Sequence, residues 1–164
     1  MADFSTIVTE VERYVGRTDD IANIRKAVNA AIHRIESDSN WYWMEQTASI
    51  SIPAAGTMDR ITLPDVDPPG VFKELRDPVF YLDGSNGRIE LDPIEEADAN
   101  SQYLDTDTGE PERYRIWKGQ MFIYPPVRAT ARTMYLPYWK WSADLTGTGA
   151  HELITRWPEL IIAR

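Results

Sequence analysis

The stretch Ser37-Asp38-Ser39-Asn40-Trp41-Tyr42-Trp43 separates two kinds of hydrophobic periodicity. Four turn-forming residues in a row stop a helix, and the Trp-Tyr-Trp that follows opens a region where apolar and polar residues alternate. Upstream, Ile21, Ile24, Ala27, Val28, Ala31, Ile32 and Ile35 recur at the spacing of one helix face, with Asp19 or Asp20 placed to cap it. Before them, Phe4, Ile7, Val8, Val11 and Val15 mark a first helix, opened by Asp3 or Ser5 and stopped by Gly16. A link as short as Gly16 to Asp19 predicts an antiparallel pair. The pair is expected to bury Val28, Ile32 and Ile35 against Val8, Val11 and the C-terminal tail, with His33 at its boundary.

Downstream, Trp41 to about Trp141 reads mostly as strand. Ile50 and Ile52 alternate with Ser49 and Ser51 up to Pro53; Ile61-Thr62-Leu63-Pro64, Val71–Leu75 and Val79–Leu82 follow. Asp83-Gly84-Ser85-Asn86-Gly87 is a turn from which Arg88–Leu91 returns as a hairpin. Asp92-Pro93-Ile94-Glu95 offers a cap, a first-turn proline and a capping-box glutamate, placing a short helix near 93–103. After the acidic loop from Asp105 to Glu112, strands fall at Arg113–Lys118, Met121–Tyr124 and Arg132–Trp141, with Gly119-Gln120 as a turn. Helices first and many short strands second predict an α+β fold. The expected organisation is a helical part over 1–38, an antiparallel β-sandwich or partly open barrel over 39–146, and a linker with a helical tail over 147–164 that joins the helical part or a partner.

That tail carries Leu153, Ile154, Trp157, Leu160, Ile161 and Ile162, too apolar for a free terminus, and Trp157-Pro158-Glu159 reads as a first helical turn. So short a helix is not stable by itself, so either the chain continues beyond Arg164 or the tail gains its order by docking. Gly147–Gly149 frees it to reach outward. The six side chains are expected to dock on a partner protein or a neighbouring copy, with Trp157 as anchor. Docking back on the helical pair is the alternative.

The 164 residues hold 26 acidic and 17 basic side chains, a net charge of −9, two histidines and no cysteine. Disulfides, Cys-based zinc sites, thiol nucleophiles and a three-histidine metal site within one chain are excluded. No run of about 18 apolar residues and no basic-then-apolar leader occurs, so no membrane span is expected. The charge is uneven: residues 83–112 hold 10 acids against Arg88 alone, whereas 113–164 hold 8 basic and 3 acidic residues. An acidic total argues against tight nucleic-acid binding, which depends on neutralising phosphates. Asp105, Asp107, Glu110 and Glu112 therefore read as a solvated surface, or as one that repels DNA or faces a basic partner.

Motifs for chemistry are lacking. Asp105, Asp107 and Gly109 begin like a calcium loop, but Gly109 occupies a ligand position and Ile116 the closing carboxylate. There is no phosphate-binding loop, nucleophile elbow or dinucleotide fingerprint. Adjacent carboxylates such as Glu95 and Glu96 point in different directions on a helix, which leaves a two-carboxylate hydrolase without support. No catalytic, cofactor-binding or metal-binding residue is expected. Aromatics cluster at Trp41, Tyr42 and Trp43 and at Tyr135, Tyr138, Trp139 and Trp141. As core they fill packing junctions; as a flat exposed row they would stack on sugar rings. A carbohydrate- or receptor-binding sandwich module, as on a cell-surface protein, is thus the second reading.

Several elements in order resemble the head-to-tail adaptor (neck, or head-completion connector) proteins of tailed bacteriophages. They are the helical Ile24-Arg25-Lys26-Ala27-Val28-Asn29-Ala30-Ala31, the Trp41-Tyr42-Trp43 opening of the strands, and Ile61-Thr62-Leu63-Pro64. Then come Met121-Phe122-Ile123-Tyr124-Pro125-Pro126, Tyr135-Leu136-Pro137-Tyr138, the Leu145-Thr146 link and Trp157-Pro158-Glu159-Leu160-Ile161-Ile162. The resemblance spans nearly the whole chain, although such families continue with a longer C-terminal helix. It implies a structural, non-enzymatic virion protein without cofactors, assembled in the host cytoplasm and located in the neck. It implies a ring, typically a dodecamer, beneath the portal protein, with a tail or nozzle protein below and DNA passing without specific binding. The apolar tail would then meet the portal or a neighbour. The acidic residues would line the channel or pair with the basic segment of the next copy, unless they are neutralised within the chain.

Overall fold

The computed structural model describes residues 3–16, 20–52, 60–63, 72–84, 87–104, 107–125, 127–128 and 131–162. Contacts divide the chain into two units, Met1–Met44 with Trp141–Arg164, and Glu45–Lys140.

The first unit is helical. α1 (Phe4–Val15) starts where the Asp3 carboxylate accepts the Thr6 N–H at 2.8 Å, and stops at Gly16 in the left-handed conformation (φ 70°). That backbone hydrogen bond, helped by the Ser5 and Thr6 hydroxyls, lowers the Asp3 pKa. α2 (Ile21–Asp38) has Asp20 at its N-cap position, but the carboxylate takes the Asn23 side-chain amide at 2.7 Å instead of a backbone N–H. Asp19 lies outside the described residues. Trp41-Tyr42-Trp43 does not open a strand: Tyr42–Met44 is a 3₁₀ turn, with Trp41 and Trp43 stacked at 5.0 Å. Two short helices, α4 (Glu152–Arg156) and α5 (Pro158–Ile162), complete the unit. Phe4, Ile7, Val8, Ile24, Val28, Ile32, Ile35, Leu153, Ile154 and Ile161 form one buried cluster, with Val11, Trp41, Trp43 and Trp157 packed around it.

The second unit is a β-sandwich with one helix. Its strands are β1 (Glu45–Ile52), β2 (Arg60–Thr62), β3 (Phe72–Leu75), β4 (Phe80–Leu82), β5 (Arg88–Glu90) and β6 (Asp92–Pro93), then β7 (Thr108–Gly109), β8 (Arg113–Trp117), β9 (Gln120–Tyr124), β10 (Val127–Arg128) and β11 (Arg132–Lys140). One sheet runs β1-β11-β4-β5, with β3 also on β11. The other runs β2-β9-β8-β6, and β7 pairs β10 separately. Ile52, Tyr81, Met134 and Leu136 from the first sheet share a core with Ile61, Tyr114, Met121 and Ile123 from the second. Neither sheet closes into a barrel, so the open α+β arrangement is the one observed. Glu45 and Trp139 are cross-strand partners, so the unit begins and ends on adjacent strands.

Three details differ from the sequence pattern. The helix expected from Asp92 onward is α3 (Glu96–Gln102), starting later because Asp92 and Ile94 donate their N–H groups to the Glu112 and Tyr114 carbonyls, which places 92–93 in the sheet. Two pairings, β6–β8 and β7–β10, are parallel in an otherwise antiparallel unit. The turn at Gly119 includes Lys118 in the left-handed region (φ 47°), so β9 begins at Gln120.

Ile32 is 2% exposed among apolar neighbours from α1, α2 and α4. Ile32→Asp would bury an unpaired charge there and is expected to cost about 3–5 kcal/mol, read as a lower denaturation midpoint. A variant with the parent's midpoint would mean that the α2 stripe faces solvent.

Candidate functional site

The segment that leaves β11 is held by one polar ridge on α2. Asn29, His33 and Glu36 lie at i, i+4 and i+7, so they share a face. Asn29 clamps the Leu145 backbone from both sides, accepting its N–H at 3.0 Å and donating to its carbonyl at 3.2 Å. His33 Nε2 meets the Asp144 carboxylate at 2.9 Å. Glu36 is fully buried and accepts the Ser142 N–H at 3.1 Å and the Ser142 hydroxyl, with the Trp43 indole N–H at 3.3 Å. His151 Nε2 stands 3.3 Å from Glu36 and 2.7 Å from Ser142 Oγ.

Ser, His and a carboxylate in contact invite comparison with a nucleophile and its base, but the hydrogen bonds run otherwise. Nδ1 of His151 accepts the Leu153 N–H at 3.1 Å, capping α4, which leaves only Nε2–H to donate. The Ser142 proton goes to Glu36, so no ring nitrogen remains to take it. The constellation is a clamp. Burial by itself would raise the Glu36 pKa; hydrogen bonds from His151 and from the Ser142 hydroxyl and N–H outweigh it and lower it to about 2.

The tail residues named from the sequence sit largely on this unit. Leu153, Ile154 and Ile161 are buried in the helical cluster, Trp157 is half-buried beside Trp43, and Leu160 is exposed. The side chain of Ile162 lies outside the described residues. Three of the tail's apolar side chains, Leu153, Ile154 and Ile161, are thus received in one cluster with those of α1 and α2. Tyr42 and Leu160 remain exposed, the Tyr42 hydroxyl is bonded to Glu152, and Arg156 lies 5.8 Å over the Tyr42 ring.

Of the acidic residues, Asp105 lies outside the described residues. Asp107 accepts the Leu104 N–H at 2.8 Å, Glu110 pairs with Arg132 at 2.9 Å, and Glu112 is exposed. Arg115 likewise pairs with Glu96 at 2.9 Å, so the acidic and basic segments meet within one chain. Among the described residues, no cluster of three or more His, Cys, Asp or Glu could hold a metal ion, and no helix is long and apolar enough to cross a membrane. Tyr135 stacks on Phe80 at 5.2 Å and Tyr138 on Phe72 at 5.4 Å, while the exposed rings Tyr14, Tyr42 and Trp117 lie on separate elements. They do not form the flat row a sugar would need.

The family model of the SU10 adaptor protein matches residues 2–164. The chain belongs to the SU10 adaptor protein family. This is a phage adaptor-type family, and it makes the chain a phage structural protein of the virion. No curated protein matches it.

A carboxylate whose pKa falls on folding stabilises the fold above its unfolded value, and that contribution is lost as pH drops through the folded one. For Glu36 the window runs from 4.5 down to about 2, a span corresponding to about 3 kcal/mol. Glu36→Gln removes the titration at nearly constant volume. Thermal melts across that window should decline more steeply for the parent than for the variant. Parallel slopes would show that Glu36 is not charged in the folded chain.

Proposed function

We propose that this adaptor forms a ring beneath the portal protein, extends the DNA channel and attaches the tail or nozzle, acting as a structural part of the neck without catalysis. The observation that carries the reading is the family match over residues 2–164. Ring geometry multiplies modest contacts, so each interface can be small while the assembly is strong. The net charge of −9 suits a channel wall that lets DNA slide without sticking. Asp107, Glu110 and Glu112, with Asp105, are the candidates for a channel or inter-subunit surface.

Portal docking is assigned to Trp157 and Leu160 of the tail, together with Tyr42 and Arg156. An aromatic with a basic neighbour is the composition of an interface hot spot. Leu153, Ile154 and Ile161 contribute by holding the tail in place. Removing residues 153–164 would strip buried side chains from the helical core, so surface substitutions make the cleaner test.

Purified full-length chain mixed with the cognate portal ring should give a complex whose mass contains many adaptor copies. Leu160→Asp with Tyr42→Ala, both at exposed positions, should keep the circular dichroism of the parent and lose at least tenfold in portal affinity, about 1.4 kcal/mol or more. Failure of the parent to bind the portal would refute the neck assignment. Undiminished binding of the folded variant would move the docking surface elsewhere.

A further inference from the structure

β1 is paired with β11 along one side over its full eight residues, and among the described residues no strand lies on its other side. The strand reads Glu45-Gln46-Thr47-Ala48-Ser49-Ile50-Ser51-Ile52, without proline, lysine or bulge. The other outer strands, β2, β3, β5 and β6, have two to four residues, and each carries a charged side chain. Short, charged edges resist further pairing, whereas a long uncharged one is a template for another strand. The single charge on β1, Glu45, is already met by Arg76 at 2.6 Å. Thr47, Ser49 and Ser51 form its exposed face, small enough for a flat approach, while Ala48, Ile50 and Ile52 turn to the core.

We propose that β1 pairs antiparallel with β1 of a second copy of this chain, continuing one sheet through both molecules. A strand of matching length, with the same free edge and no net charge, is supplied by every other copy. Antiparallel self-pairing also sets the two Glu45 residues at opposite ends, where a parallel arrangement would stack them. Directly opposed residues share a face, so the two-fold axis must fall on a residue of β1, and Ala48 and Ser49 are the central ones. With the axis on Ser49, Thr47 faces Ser51 and Ser49 faces its mate, doubling the exposed hydroxyls into a ladder that forms cross-strand hydrogen bonds. With the axis on Ala48, Thr47 faces Ser49. A two-fold contact does not close a ring, so this pairing is independent of portal binding and operates in the free protein.

The absence of cysteine gives the test a clean background. Sedimentation of the full-length chain should show a concentration-dependent monomer–dimer equilibrium. Under mild oxidation, Ser49→Cys alone, or a mixture of Thr47→Cys with Ser49→Cys, should yield a disulfide-linked dimer. Thr47→Lys with Ser49→Lys places charges on the edge and should shift the equilibrium at least tenfold towards monomer, with Ser49→Thr behaving as the parent. Should the lysine variant misfold, hydrogen exchange of the parent gives a second readout: alternate amides of β1 should gain protection as concentration rises. A parent that stays monomeric at every soluble concentration overturns the proposal. So does a dimer that neither cross-links through these positions nor responds to the lysines, since its interface then lies elsewhere. Neither result bears on whether the chain binds a portal.

Discussion

A buried carboxylate constrains the helical unit. Glu36 has no solvent exposure, and an ion in that position is tolerated only when its oxygens are met by donors. Among its partners are the Trp43 indole just after α2, Ser142 just after β11, and His151 at the start of α4. Withdrawing Ser142 and His151 together would leave the carboxylate short of donors, which couples the first 44 residues to the last 24 in one unit. His151 extends the constraint, because the ring that faces Glu36 also caps α4 through its other nitrogen. The position of the tail thus follows from satisfying one anion.

The choice of docking residues follows from that anchoring. Short helices such as α4 and α5 owe their order to docking. Because Leu153, Ile154 and Ile161 are received within the chain, Trp157 and Leu160 are presented on a fixed surface. A pre-ordered patch binds without first losing the freedom of a loose tail. The charge segments behave similarly: Glu110 with Arg132 and Glu96 with Arg115 neutralise one another locally, leaving the residual negative charge as the property available to partners or to DNA.

Periodicity made α1, α2 and most strands legible, since Val28, Ile32 and Ile35 or Ile50 and Ile52 must lie on one face whatever the rest of the chain does. What it could not show is where long-range partners meet. Glu36 falls four residues after Ile32, on the apolar stripe, and a carboxylate at that spacing was the one available signal of a buried anion; its partners Ser142 and His151 are 106 and 115 residues away. The tail's apolar pattern showed that it must dock and left open on what. At Asp92 the local cap chemistry lost to the hydrogen bonds that Asp92 and Ile94 donate to the Glu112 and Tyr114 carbonyls, which no local window contains.

Native-state hydrogen exchange of the free full-length chain tests most directly whether the two ends form one cooperative body. If the Glu36 clamp binds them, amides within α4 and those of the central turns of α1 and α2 should open with the same free energy, in one step. Exchange of the α4 amides at a far lower opening free energy than those of α2 would contradict this, and would mean that the tail is not fastened to the helical pair.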